Sequence, residues 1–152
     1  MPAFKDRHTI EDRQGWLRIL ACAAPQELAA RMPGDLPAHE HLRAPEIGAV
    51  MVQGRLGGTG APFNLGEMTV TRCTVRLETG EIGHAMVQGR DRAHAGRVAL
   101  IDALMQTGRA ADLARDLVAP LAALQAARRT ARAEKAAATR VDFFTLVRGE
   151  DA

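Results

Sequence analysis

The 152-residue sequence contains no serine and no tyrosine. Without serine, the nucleophile of Ser-His-Asp hydrolases cannot be assembled. Aromatic residues are four Phe and one Trp, too few for the stacking platforms on which nucleic-acid-binding folds hold bases. Charge of one sign is lacking too: the formal net charge is +2, so no nucleic-acid partner is expected. There are two cysteines, Cys22 and Cys73, without a CxxC or a Cys-His spacing around either, and they read as buried, reduced thiols rather than metal ligands or a disulfide. No apolar run reaches the roughly 18 residues of a membrane span and the N-terminus has no apolar signal region. The expected location is the cytoplasm, with no membrane partner.

Arginine and alanine are abundant instead. Eighteen of the 20 basic residues are Arg, whose planar fork binds carboxylates and phosphates in a way Lys does not. Hydrophobic residues make up 47% of the chain, but 29 residues are alanine, so the large side chains suffice for a compact core and not a thick one. The length fits a single domain over residues 1–152.

Residues 11–24 place Trp16, Ile19, Leu20 and Ala23 at helical spacing, and Pro25 can open a second short helix over 26–32. The Pro33-Gly34-Asp35-Leu36-Pro37 stretch breaks the chain. Val50 and Val52 suit a strand over 47–56, and a Gly-rich loop follows at 57–62. Over residues 67–77, Met68, Val70, Arg72, Thr74 and Arg76 alternate with Thr69, Thr71, Cys73, Val75 and Leu77, which reads as a strand with one drier face. Gly80 fits a hairpin turn that returns the chain over 82–88. Asp91 can cap a helix over 92–107, whose apolar face is His94, Val98, Ile101 and Met105, with Gly108 to end it. Residues 109–139 are Ala-rich and helical, with Pro120 as the expected boundary between two helices. Leu113, Leu117, Leu121 and Leu124 form a stripe across it. The basic stretch 128–135 carries no large apolar residue, and Phe143 and Phe144 stand in an apolar tail beyond it. The fold class is therefore α+β: an antiparallel meander over about 46–89, with N-terminal helices and C-terminal Ala-rich helices packed on it. Residues 109–149 are expected to form a helical arm and tail that dock on a partner.

Chemistry-bearing groups are sparse. Gly54-Arg55-Leu56-Gly57-Gly58-Thr59-Gly60 could form an anion nest from successive backbone N–H groups, but it lacks the Gly-Lys-Ser/Thr ending of a phosphate loop and the Gly-x-Gly-x-x-Gly spacing. It reads first as a plain loop. His39 and His41 read as loop histidines in the Pro-rich break, without a third ligand for a metal. His94 reads as a hydrogen-bonded, half-buried histidine, and Asp102 as a surface carboxylate near Arg97 and Arg109. No Cys-His nucleophile is legible. Arg72 and Arg76 share a strand face, and Arg55, Arg90 and Arg92 can stand near the strand ends. Such a cluster is either a phosphate site or, the preferred reading, a solvent-facing or salt-bridged sheet side.

The strings Gly57-Gly58-Thr59-Gly60, Phe63-Asn64-Leu65-Gly66-Glu67-Met68-Thr69-Val70-Thr71-Arg72, Gly89-Arg90-Asp91-Arg92-Ala93-His94-Ala95, Ala99-Leu100-Ile101-Asp102-Ala103-Leu104-Met105-Gln106 and Val141-Asp142-Phe143-Phe144-Thr145-Leu146-Val147-Arg148-Gly149 resemble one family. It is the small G subunit of the bacterial carbon-phosphorus lyase core complex, and the likeness runs from about Arg13 to Gly149 in one order. The resemblance implies an accessory, non-catalytic role in phosphonate use within a transferase complex. The G, H, I and L subunits of that family together displace adenine from ATP by the phosphonate, giving a ribose 1-phosphonate 5-triphosphate. It implies close pairing with the larger I subunit and assembly with the H and J subunits and ATP-binding-cassette proteins. No cofactor is expected on this chain alone, ATP being a substrate of the complex. By the same resemblance Gly57, Gly58, Thr59, Gly60, Glu67, Arg72, Arg90, Asp91, His94, Phe143 and Phe144 are interface or ligand candidates, with none catalytic and none a metal ligand. The alternative is a free-standing phosphate- or nucleotide-binding module built on an Arg-lined glycine loop.

Overall fold

The computed structural model describes residues 12–140. Helix α1 runs over Arg13–Cys22, with the Asp12 carboxylate accepting the Gly15 backbone N–H at 2.6 Å, a side-chain cap for a donor that no helical turn satisfies. Helix α2 covers Pro25–Ala29 with Pro25 in its first turn. Three strands then form an antiparallel meander in the order β1-β2-β3: β1 His39–Arg55, β2 Pro62–Leu77 and β3 Ile82–Gln88. The expected turn between β2 and β3 is present, and Gly80 takes φ 106° there.

Strand β1 begins well before the expected start near residue 46, and His39 and His41 sit on it rather than in a loop. The Pro45 signal that argues for a break is tolerated because β1 is an edge strand, where a missing N–H can face outwards, and Pro37 lies just before the strand begins. Register shifts between His41 and Arg43 and between Arg43 and Glu46 absorb the irregularity.

Helix α3, Arg92–Leu104, packs over the inner face of the sheet. Asp91 caps it by accepting the His94 N–H at 2.8 Å. The regular helix is shorter than the expected 92–107, since residues 105–108 close it as turns. At Gly83 an added Cβ would lie 1.9 Å from the Ala99 carbonyl oxygen, so glycine is what lets β3 approach α3 this closely. After α4, Ala110–Leu113, the chain widens into a π-helical turn over Ala114–Val118 and continues as α5, Ala119–Ala138. The expected boundary falls here because Pro120 has no N–H to donate and its ring crowds the carbonyl four residues back, which the wider turn relieves.

The core joins Trp16, Ile19, Leu20 and Leu28 to Val75, Val87, Val98, Ile101 and Leu104, and Leu113, Leu117 and Leu121 close one side. Leu124 is only half-buried, and from Ala126 to the end of the described chain α5 is exposed. Cys73 is buried as expected, whereas Cys22 is exposed at the end of α1; both are free thiols.

Candidate functional site

Strand β3 ends opposite Val70, but β1 and β2 do not. Beyond the Gly48–Val70 pair the two strands run on alone to the Arg55–Pro62 pair and a 3₁₀ turn at Leu56–Gly58. Seven residue steps at strand rise make an arm of roughly 24 Å. Ala49 and Met51 point to one side of it and Val50, Val52 and Phe63 to the other, by their register with Thr69, Glu67, Met68, Gly66 and Gly54. Leu56 is 78% exposed, Leu65 67% and Met51 55%. A two-stranded ribbon is marginal in water on its own, and one that carries apolar groups on both faces has no private core to bury them in.

The candidates from the sequence divide among separate places. Gly57, Gly58, Thr59 and Gly60 form the tip of the arm, where Gly57 and Gly58 take φ 59° and 79°. Glu67 stands midway along it, opposite Met51. Arg90, Asp91 and His94 are at its root, where the Gly89 N–H bonds the Thr69 carbonyl at 2.9 Å and the Thr71 hydroxyl donates to the Gly89 carbonyl at 2.7 Å. Of the arginines expected around the glycine loop, Arg55 alone is seen at it among the described contacts. Arg55 donates to the loop's own Gly60 carbonyl at 3.1 Å, while Arg72, Arg90 and Arg92 stand at the other end of the arm. Phe143 and Phe144 lie outside the described residues.

His94 is 3% exposed, and neither ring nitrogen has a hydrogen-bond partner. This corrects the expected half-buried, bonded histidine: the helix face that carries it turns fully inward. Burial holds its pKa below the usual imidazole range and Arg97 adds to the depression, against the opposing pull of Asp91. The Ala21 backbone favours the charged ring, but it falls short of hydrogen-bond geometry.

Asp102 is not on the surface; it is fully buried. Its carboxylate accepts Arg13 Nη2 at 2.7 Å, Arg13 Nε at 3.2 Å, Trp16 Nε1 at 2.9 Å and the His84 backbone N–H at 2.8 Å. Arg13 and Gln106 also donate to the Ile82 carbonyl, at 3.0 and 2.8 Å. One carboxylate thereby ties α1, α3 and β3 together and satisfies the outer edge of β3 at His84. Sequence spacing gave no sign of it, because Arg13 and Trp16 are 89 and 86 positions away.

The sheet face turned away from α3 carries charge. Arg76 pairs with Glu40. Arg43 Nη1 and Arg72 Nη2 both converge on Glu46 Oε1, at 3.3 and 3.2 Å, while Arg72 Nε is buried without a partner. The preferred reading of the strand arginines as a salt-bridged sheet side therefore holds for Arg72 and Arg76. Thr74 and His84 meet at 3.2 Å beside them. An open pocket of about 440 Å3 is lined by Arg43, Arg72 and His84 of the sheet, Arg18, Leu17 and Ala21 of α1 and Val98 of α3. Arg18 and Arg43 were not among the residues singled out from the sequence. Their only signal is charge, which a register shift in β1 and a helix start must place before it means anything.

Cys73 Sγ lies 3.7 Å from His41 Nδ1, a pair the sequence did not reveal. Burial raises the thiol pKa, so the sulfur is held as a thiol and not as the nucleophilic thiolate. Among the described residues no three His, Cys, Asp or Glu side chains converge as a metal site, and no helix is long and apolar enough to cross a membrane.

Two comparisons bear on this arrangement. Residues 11–149 match the model of a family described as phosphonate metabolism protein PhnG. A protein of Rhizobium meliloti (strain 1021), alpha-D-ribose 1-methylphosphonate 5-triphosphate synthase subunit PhnG, is 46% identical over 144 residues, which cover 93% of this chain and 92% of that protein.

Proposed function

Because this chain belongs to the PhnG family of phosphonate metabolism proteins, we propose that it is an accessory subunit of a ribose 1-methylphosphonate 5-triphosphate synthase. Its structural task is to dock on a larger subunit. The observation that carries this reading is the β1–β2 arm, which leaves Met51, Leu56, Phe63 and Leu65 in solvent on a ribbon with no third strand. Apolar surface presented on a projecting element is what a subunit contact requires.

The partner is the larger I subunit of the carbon-phosphorus lyase core, in an assembly with H and J subunits and ATP-binding-cassette proteins. In that assembly the phosphonate displaces adenine from ATP, and this chain supports the step without supplying a catalytic group. The chemistry of its buried groups favours that division of labour: Cys73 is a protonated thiol, His94 is shut away from solvent and the Asp102 carboxylate is saturated by four donors. The setting is the cytoplasm, and the exposed second half of α5 forms a further contact. The free-standing nucleotide module has less support, since Arg55 alone of its expected arginines is seen at the glycine loop among the described contacts.

The test is co-expression with the larger subunit followed by size-exclusion chromatography. A joint peak is expected for the native chain and a separate one for Phe63→Asp/Leu65→Asp. A native chain that elutes alone beside a folded partner overturns the proposal.

A further inference from the structure

A second feature of the surface is unlike the arm: it is cationic, concave and attached to the rigid part of the molecule. The guanidinium groups of Arg43 and Arg72 approach one and the same oxygen, Glu46 Oε1, from β1 and β2. Both contacts exceed the 2.7–2.9 Å typical of charge-assisted pairs. A carboxylate tethered to the same strand as Arg43 therefore occupies a position that two arginines define, without filling it well. Glu46 is half-exposed, so it can swing into water at small cost. Arg18 on α1 lines the same pocket. Leu17 and Ala21 of α1 add apolar surface to the lining, and Met86 stands beside Arg72, its partner across the β2–β3 ladder. A volume of about 440 Å3 is in the range that small organic ligands fill.

We infer that this pocket binds a phosphorus oxyanion carried on an organic ligand, the oxyanion displacing Glu46 from Arg43 and Arg72 and the organic part lying against the α1 wall. A tetrahedral phosphoryl or phosphonyl group offers several oxygens to two guanidinium forks, where Glu46 offers one. The preference for phosphorus among oxyanions rests on the family reading above; the two-arginine geometry does not. Nothing about the pocket requires the glycine loop, which lies at the far end of the arm.

Isothermal titration of the full-length chain, alone and again as the complex with its co-expressed partner, tests the inference. The probes are tripolyphosphate, ATP, methylphosphonate and sulfate. Arg72→Gln and Arg43→Gln are each expected to weaken binding about tenfold, the loss of one charge-assisted contact. Glu46→Gln is expected to tighten it several-fold by removing the competing carboxylate, an effect in the opposite direction to any damage to the fold. Arg76→Gln, on the same face but outside the pocket, is expected to leave binding unchanged. ATP binding more tightly than tripolyphosphate identifies a nucleotide as the ligand; methylphosphonate binding with ATP excluded identifies the phosphonate. Sulfate binding as tightly as the phosphorus probes, equal binding by the native and Arg72→Gln chains, or no binding even by Glu46→Gln overturns the inference. Absence of a joint peak in chromatography counts against the subunit reading alone, because the titration of the lone chain still decides the pocket.

Discussion

The same β1–β2 hairpin is two different objects along its length. In its first part, where residues 70–76 of β2 also pair with β3, the inner face lies under α3, with Thr71, Cys73, Val75 and Leu77 buried. In its second part, from Gly48–Val70 outward, the same two strands keep their ladder and lose both the third strand and the helix. The sheet edges differ in a similar way. The outer edge of β3 is met by Asp102, Arg13 and Gln106, while β1 presents a 17-residue edge, the kind of open row of backbone groups that pairs or docks with another chain. Burial and exposure are thus separated in space: one end of the hairpin holds the fold, the other stands in solvent.

The largest effect expected is at the sealed end. Asp102→Ala removes the acceptor of the buried Trp16 and His84 donors and of Arg13, and should cost about 3–5 kcal/mol. Thermal or urea unfolding of the lone chain measures it. An Asp102→Ala chain as stable as the native one would erase the distinction between the two ends.

At the open end the expectation is reversed. Phe63→Asp with Leu65→Asp should change the stability of the lone chain by no more than about 0.5 kcal/mol, because both side chains are already in water. It should cost the complex about 2 kcal/mol or more, the loss typical of an interface anchor. A fall in unfolding midpoint for this variant would mean that the arm packs on the body after all.

A smaller loss sharpens the boundary of the rigid part. Gly83→Ala forces a methyl against the Ala99 carbonyl and should destabilise by about 1–3 kcal/mol, whereas Gly66→Ala, with nothing within 4 Å of its Cβ on the arm, should be nearly neutral. The pair is read by the same unfolding measurement.

Much of the sealed end was legible from the sequence, and the reason is periodicity. The alternation over 67–77, the turn at Gly80 and the Asp91 cap all act within a few residues, and the meander with its covering helix follows from them. The early start of β1 was hidden because Pro45 is a breaker signal whose force depends on whether the strand is central or at an edge, a tertiary fact. Asp102 was hidden for a similar reason: a carboxylate in an apolar helix is a surface residue or a buried clip according to partners that come from α1. The arm was visible as a strand and a glycine loop, but not as a projection, since only the length of β3 decides where the third strand stops. The pocket needed Arg18, Arg43 and Arg72 from three elements, and of these the family resemblance pointed to Arg72 alone.

The smallest expected effect concerns pH. His94 has a pKa depressed mainly by burial, so as pH falls below about 6.5 the unfolded chain takes up the proton before the folded one does. Its contribution to stability is complete above that pH and is lost as pH falls through the lower folded value. The unfolding midpoint of the native chain should drop between pH 7 and pH 5, and His94→Leu should flatten that slope without changing the arm. An unchanged slope in His94→Leu would assign the pH response to other groups.

The central claim, that one hairpin divides into a structural end and a docking end, is tested most directly by hydrogen–deuterium exchange on the lone chain and on the co-purified complex. The account predicts slow exchange at residues 70–77 and 82–88 in both states, with residues 48–55 and 62–69 exchanging fast alone and becoming protected in the complex. Equal protection of both ends in the lone chain, or an arm whose exchange is the same with and without the partner, would contradict it.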